Sequence, residues 1–112
     1  MHEIGIAEDI LKIIKKRAKE EGLVQVKRAQ VKIGEMYMVG KEELASTFDM
    51  VSKGTIAEGA RIEVDIIPLA IKCSECEGIV KGKEFSLSCP TCGSMNLGVL
   101  SGEELIVEGI ES

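Results

Sequence analysis

Hydrophobic residues recur at helical spacing close to the start of the chain. The positions are Ile4, Ala7, Leu11, Ile14 and Ala18. Apolar residues three and four positions apart predict an amphipathic helix from residue 4 to about 21. Acidic residues occupy its opening turns and lysines its closing turns, which matches the sign of the helix dipole. Gly22 follows as a suitable C-cap.

The next segments alternate between strand and helix patterns. Residues 23–34, LVQVKRAQVKIG, are rich in Val and Ile with a two-residue period that slips once, which predicts a strand with a bulge. Leu44, Phe48 and Val51 share one helical face, and Ile62, Val64 and Ile66 then alternate with charged residues as in a strand. The segment EELIVEGI predicts one more strand. The pattern therefore predicts an α+β fold in which two helices pack on a small mixed sheet.

All four cysteines lie in a glycine-rich segment with a different pattern. Cys73 and Cys76 form one CxxC pair, Cys89 and Cys92 form another, and twelve residues separate the pairs. Two such turns facing each other direct four sulfurs to one point, which suits tetrahedral zinc in a structural ribbon. The predicted organisation is an α/β domain of residues 1–70, completed by a strand at 103–112, with a zinc-ribbon-like domain of residues 71–102 inserted.

Other uses of the cysteines are weaker interpretations. Disulfides are disfavoured because the chain has no export signal, and a thioredoxin-like redox pair would need one motif between a strand and a helix. A rubredoxin-like iron site uses the same four sulfurs and stays open. Such sites usually place glycine after each pair, where this chain has Glu77 and Gly93. Zinc is therefore favoured over iron.

The composition limits the classes of partner. The 112 residues include 45% hydrophobic and 29% charged residues, and the formal net charge is -5. An acidic chain with no apolar run of membrane-spanning length is expected to act in the cytoplasm and to avoid membranes and nucleic acid. In residues 71–102 the lysines are balanced by glutamates and Phe85 is the only aromatic residue. A zinc-ribbon module that binds protein or nucleic acid, with an inert N-terminus, is the alternative function.

The first residues, MHE, contain the only histidine of the chain. The α-amine of Met1 with the backbone nitrogen and imidazole of His2 can close two adjacent chelate rings, and the backbone nitrogen of Glu3 can complete a plane of four nitrogens. Such a plane suits Ni(II) or Cu(II). The first N–H groups of a helix have no intrahelical partner, so their metallation breaks no helix bond. The initiator methionine is expected to persist before His2. A solvated terminal histidine is the simpler interpretation of this residue taken alone.

The remaining polar residues form no catalytic arrangement. The sequence contains no Ser-His-Asp or Cys-His set once His2 is assigned to the terminus, and no phosphate-binding glycine loop. We therefore expect no enzyme activity. The methionines at 36, 38, 50 and 95 are interpreted as gap fillers of the core rather than metal ligands.

Four segments in order give the chain a family resemblance: MHE, GTIAEGARIEV, the two CxxC pairs with CPTCGS as the second, and SGEELIVEGIE. Together they resemble the HypA family of nickel-insertion accessory proteins for [NiFe]-hydrogenase maturation. The resemblance implies nickel at Met1, His2 and Glu3, with Glu3 binding through its backbone or its carboxylate. It also implies structural zinc at the four cysteines, a HypB-type GTPase partner and delivery to the hydrogenase large subunit. A homodimer is compatible with it.

Overall fold

A computed structural model of the chain describes residues 3–81 and 88–112, so Met1, His2 and residues 82–87 lie outside the described part. Its elements are α1 (Glu3–Glu20), β1 (Arg28–Gly34), a 3-10 turn (Glu35–Tyr37), α2 (Lys41–Val51), β2 (Arg61–Ile67), β3 (Ala70–Cys73), β4 (Ile79–Lys81), β5 (Leu97–Ser101) and β6 (Leu105–Glu111). The predicted α+β class, with two helices and small sheets, is confirmed. Within the described ranges, neither helix is long and apolar enough to cross a bilayer.

The chain forms two compact units, and each unit is made of segments that are separated in the sequence. The first contains Met1–Lys32, Val39–Asp65 and Leu105–Ser112, and the second contains Ile33–Met38 and Ile66–Glu104. The second unit thus includes the predicted ribbon segment together with a short piece that follows the middle of β1.

The core of the first unit lies between the two helices. Helix α1 buries a stripe of six side chains: Ile6, Ala7, Ile10, Leu11, Ile14 and Ala18. It packs against α2, which buries Leu44 and Phe48. The predicted stripe is therefore correct except at Ile4, which is 58% exposed, because Ile6 and Ile10 occupy the buried side instead.

The end of α1 confirms the predicted glycine cap. The N–H of Leu23 donates to the carbonyl of Ala18 over 2.8 Å and that of Gly22 to Lys19 over 3.2 Å. Gly22 has a φ of +71°, a conformation that costs a residue without a Cβ little. The cap turns the chain out of the helix before β1 begins.

The first sheet has the strand order β2-β1-β6. Lys27 N–H, just before β1, donates to the carbonyl of Glu111 at the end of β6, and Gly34 N–H at the end of β1 donates to Glu104 just before β6. These two strands are therefore antiparallel. Lys27 also accepts from Arg61 N–H at the start of β2, so β2 runs parallel to β1 and the sheet is mixed, as predicted. The closing strand returns to this sheet.

The predicted bulged strand over residues 23–34 is wrong in its first half. Strand β1 begins only at Arg28, and Val24 is 88% exposed. Val26 is buried but its N–H donates to Ile56, in the loop before β2. The slip in the two-residue period marks the start of the strand rather than a bulge within it.

The second sheet has the order β4-β3-β5, with both pairings antiparallel. Ala70 lies opposite Ser101 and Ile71 opposite Val99, so Leu100 is an extra residue on β5. The bulge bends β5 just before the chain enters Gly102. Cys73 ends β3, Cys76 lies in the turn between β3 and β4, and Cys89 and Cys92 lie in the connection between β4 and β5.

A close crossing of three backbone segments lies within the second unit. A Cβ added to Gly34 would lie 2.0 Å from the carbonyl oxygen of Gly102, and one added to Gly102 would lie 2.5 Å from the Cα of Leu69. Met36 N–H donates to Gly102 over 2.9 Å, and the Glu35 carboxylate accepts from Leu69 N–H over 2.7 Å. Glycine is therefore required where these segments touch.

The methionines do not fill the core. Their exposed fractions are 43% for Met36, 87% for Met38, 63% for Met50 and 77% for Met95. The gap-filler interpretation is therefore wrong, because a hydrophobic residue type does not by itself fix the side of the element on which it lies.

Candidate metal centre

The first CxxC turn begins where β3 ends. Cys73 N–H donates to the carbonyl of Gly78 over 2.9 Å, and Glu77 N–H donates back to Cys73 over 2.9 Å. Glu77 has a φ of +59°, the left-handed conformation that reverses the chain into β4. The turn thus places the sulfurs of Cys73 and Cys76 on the same side of the chain.

The second CxxC turn repeats this geometry. Cys89 N–H donates to Ser94 over 2.7 Å, Gly93 N–H donates to Cys89 over 2.8 Å, and Gly93 has a φ of +76°. Gly93 therefore holds the place in this turn that Glu77 holds in the first. A glycine at this position serves the backbone turn, so the glutamate at 77 does not discriminate between zinc and iron.

The four sulfurs converge on one point. The Sγ atoms of Cys73 and Cys92 are 3.6 Å apart, as are those of Cys76 and Cys89. All four lie within 4.8 Å of one another, and they are the only such group of potential ligands in the described ranges. A tetrahedron with zinc–sulfur bonds of about 2.3 Å has sulfur–sulfur edges of about 3.8 Å. The cluster therefore fits a tetrahedral metal ion such as zinc.

Backbone N–H groups favour ionisation of the first cysteine in each pair. The N–H groups of Cys92 and Thr91 lower the pKa of Cys89 to about 6, against an opposing effect of desolvation. Those of Cys76 and Glu75 lower the pKa of Cys73 in the same way. Both residues are buried, so each turn holds one buried sulfur whose ionisation the backbone favours.

The second cysteine of each pair is exposed and carries the opposite shift. The backbone N–H of Ser94 lowers the pKa of Cys92, but desolvation and the three neighbouring sulfurs outweigh it and raise that pKa to about 12. Although the N–H of Gly78 favours the thiolate of Cys76, contact with Cys89 and desolvation raise its pKa. Four thiolates so close together repel one another, and a divalent cation is the charge that offsets this repulsion.

The nickel residues implied by the resemblance are only partly described. Met1 and His2 lie outside the described residues, whereas Glu3 is the first residue of α1 and is partly buried. Glu3 lines a shallow concavity of about 620 Å³ together with Ile4, Glu42, Glu43, Ser46 and Thr47. The carboxylates Glu42 and Glu43 of α2 are exposed, and the sequence pattern did not show that they lie beside the start of α1.

Comparison with known proteins places the whole chain in one family. A family model described as hydrogenase/urease nickel incorporation, metallochaperone, hypA, matches residues 1–112. A hydrogenase maturation factor HypA from Acidithiobacillus ferrooxidans is 37% identical over 99% of this chain and 98% of its own length. Another HypA from Methanothermobacter thermautotrophicus is 33% identical over 99% of this chain and 96% of its own length.

Solved structures show the same fold. The solution structure of the Ni metallochaperone HypA from Helicobacter pylori superposes with a TM-score of 0.71 at 21% identity, covering 99% of this chain and 97% of that one. The match to a family model over the whole length, the curated relatives and the convergent cysteines agree with the four segments identified in the sequence. This chain belongs to the HypA family of nickel metallochaperones for hydrogenase maturation.

Proposed function

We propose that this chain carries one Ni(II) ion at its N-terminus and delivers it for [NiFe]-hydrogenase maturation. The observation that supports this most strongly is the match of the whole chain to a nickel metallochaperone family, combined with an opening MHE that offers nitrogen ligands. In this proposal the protein acts in the cytoplasm as a carrier and not as an enzyme.

The proposed nickel ligands are the amine of Met1, the backbone nitrogen and imidazole of His2, and Glu3. The position of Glu3 supports the proposal, because it begins α1 and the first N–H groups of a helix have no intrahelical partner. Deprotonated amides can therefore bind the ion without cost to the helix. The nearby carboxylates of Glu42 and Glu43 add negative charge beside the bound cation.

The proposed role of the four cysteines is to hold a structural zinc ion. Bound zinc would supply positive charge and four bonds joining the end of β3, at Cys73, to the turn before β5. The backbone N–H groups that favour thiolates at Cys73 and Cys89 support this assignment. Since so small a sheet has little core of its own, metal binding would contribute most of its folding free energy.

The proposed partners are a HypB-type GTPase and the hydrogenase large subunit, with the chain itself as a monomer or homodimer. The curated relatives named as hydrogenase maturation factors support partners from that process. Transfer would place the N-terminus of the carrier beside the receiving protein.

The test is a titration of untagged, zinc-loaded protein with Ni(II), followed by absorption and by magnetic measurement. We expect one nickel per chain in a diamagnetic planar site. His2→Ala should abolish this signal with little change in thermal stability, and binding should weaken on acidification because protons compete for the amine and the imidazole.

Two controls separate a terminal chelate from other sites. Glu8→Gln changes an exposed carboxylate of the same helix and should leave nickel binding unchanged. Protein acetylated at the N-terminus lacks the amine ligand and should lose the planar signal. Undiminished nickel affinity in His2→Ala would overturn the proposed site, and an inert terminus in the wild-type protein would favour a zinc-ribbon interaction module.

A further inference from the structure

A row of four lysines runs along helix α1: Lys12, Lys15, Lys16 and Lys19. The segment that contains them, KIIKKRAK, has no acidic residue and holds five of the fourteen basic residues of a chain whose net charge is -5. All four side chains are exposed. Neither proposed metal site uses this lysine row.

The geometry of α1 places the lysine row on the face opposite its partner helix. Positions three, four and seven apart share one face of a helix, and at 1.5 Å per residue the row is about 10 Å long. Ile10, Ile14 and Ala18 are fully buried, and α1 packs against α2. The lysine row therefore faces solvent over two turns.

Several other cations in the described ranges have carboxylate partners, whereas Lys27, Lys41, Lys53 and Arg61 have none within 4.0 Å. Arg28 pairs with Glu63 and Glu111, Lys32 with Glu108, and Arg17 with Glu21. In the described ranges no carboxylate lies within 4.0 Å of a lysine of the row, although Glu8 and Glu20 flank it at helical spacing.

The arrangement works against the helix itself. Each lysine of the row has another three or four positions away, and like charges at that spacing repel. The helix dipole favours Lys19 in the last turn but gives little to Lys12, which lies two turns earlier. Glu8 and Glu20, four positions from Lys12 and Lys16, offset only part of this repulsion, and a local pattern that stays unfavourable on balance points to a function outside the helix.

We propose that the lysine row binds an acidic protein surface on the partner that handles the nickel. Carboxylates three to four residues apart on a helix would match its spacing. A membrane is a poorer fit, because the apolar face of α1 is buried and the acidic chain is repelled by anionic lipid. Nucleic acid is disfavoured by the same net charge.

This inference rests on the proposed function and gives the partner an orientation. Lys12 lies nine residues after Glu3 in the same helix, which is about 14 Å along the axis. A protein bound to the lysine row would therefore lie about 14 Å from Glu3, the first residue of this helix and one of the proposed nickel ligands.

The test compares two variants with the same change in charge. The row variant is Lys12→Gln/Lys16→Gln/Lys19→Gln, and the control is Lys27→Gln/Lys53→Gln/Arg61→Gln, at exposed positions outside α1. Glutamine keeps helix propensity close to that of lysine. The probes are the purified GTPase and the hydrogenase large subunit from the same genome, with affinity and association rate measured at low and high salt.

We expect the row variant to bind one of these proteins about ten-fold more weakly at low salt, mainly through slower association, while the control stays within about two-fold. A Lys→Arg version of the row variant keeps the charge and should keep the binding. Both variants should bind nickel as the wild type does. If the row and control variants bind equally well, the proposal that the lysine row binds the partner is wrong, but the proposed function stays intact.

Two other outcomes also decide the question. If the wild-type protein binds neither probe, the proposed partners fail and the lysine row fails with them. If the wild-type protein binds phosphatidylserine vesicles or duplex DNA and the row variant does not, the lysine row binds a lipid or nucleic-acid polyanion. The assignment to an acidic protein surface is then wrong.

Discussion

Replacing Gly34 with alanine should cost much of the stability of the second unit. The new Cβ would lie 2.0 Å from the carbonyl oxygen and 2.1 Å from the carbonyl carbon of Gly102, both backbone atoms that cannot rotate away. Ordinary contacts between heavy atoms are about 3.5 Å or longer, so one strand must move by more than 1 Å or so. Gly34 and Gly102 are both buried, so the movement would displace closely packed backbone.

The magnitude follows from the hydrogen bonds that this movement breaks. Gly34 N–H donates to Glu104 over 2.7 Å, and Met36 N–H donates to Gly102 over 2.9 Å. Each buried polar group left without a partner costs about 1–3 kcal/mol, so the substitution should cost about 2–6 kcal/mol. That is a large part of the roughly 5–15 kcal/mol that stabilises a typical domain.

The assay is denaturant unfolding of the metal-loaded protein, followed by circular dichroism and by amide exchange in β3 and β5. Gly5→Ala is the matched control: nothing lies within 4 Å of its added Cβ, and in an exposed helix alanine should stabilise by about 1 kcal/mol. A Gly34→Ala protein within about 0.5 kcal/mol of wild type, the range of neutral surface substitutions, would refute the close crossing.

Three further predictions concern the cysteine turns and the surface of the first sheet. Removing the metal with a chelator, or replacing Cys89 with serine, should abolish zinc retention and the protection of the amides in β3–β5, while α1 keeps its helical signal. Loss of the α1 signal as well would contradict the division of the chain into two units that fold separately. Glu77→Gly should stabilise the metal-loaded protein by about 1–2 kcal/mol because it removes a left-handed non-glycine residue, and Gly93→Ala should destabilise it by a similar amount; unchanged melting in both would contradict the equivalence of the turns. Gln30 and Arg28 hold the pKa of Glu111 below its usual value, so that carboxylate stabilises the protein above its ordinary pKa and stops doing so as pH falls through the lowered one. Glu111→Gln should therefore lower the melting temperature slightly at neutral pH, and the difference from wild type should vanish in acid, where persistence of the difference would argue against the ion pair.

Features encoded by nearby residues were predictable from the sequence. The two CxxC turns have their determinants within six residues, and the stripe of α1 follows from its period. The choice between Ile4 and Ile6 as the first buried residue was not predictable, because both fit an apolar face and only the packing against α2 decides.

Features created by distant segments left no local signal. The strand pattern continues into Gly34 without indicating that Ile33–Met38 joins the second unit, which depends on contacts with Leu69 and Gly102. The grouping of Glu3 with Glu42 and Glu43 likewise depends on how two helices pack. Gly34 was the only hint in the sequence, and the reason for a glycine at this position became visible only once Gly102 was known to lie against it.

The composition of the second unit has a consequence for transplanting it. A fragment of residues 66–104 would contain every cysteine, yet it would lack the Glu35 carboxylate that accepts from Leu69 and the Met36 N–H that donates to Gly102. The cysteine-bearing unit is therefore not a cassette that can be cut at two points and moved to another host. An exchange between relatives would have to carry the hexapeptide Ile33–Met38 from the same parent, and a chimera that mixes parents at this crossing should be soluble only where both retain glycine there.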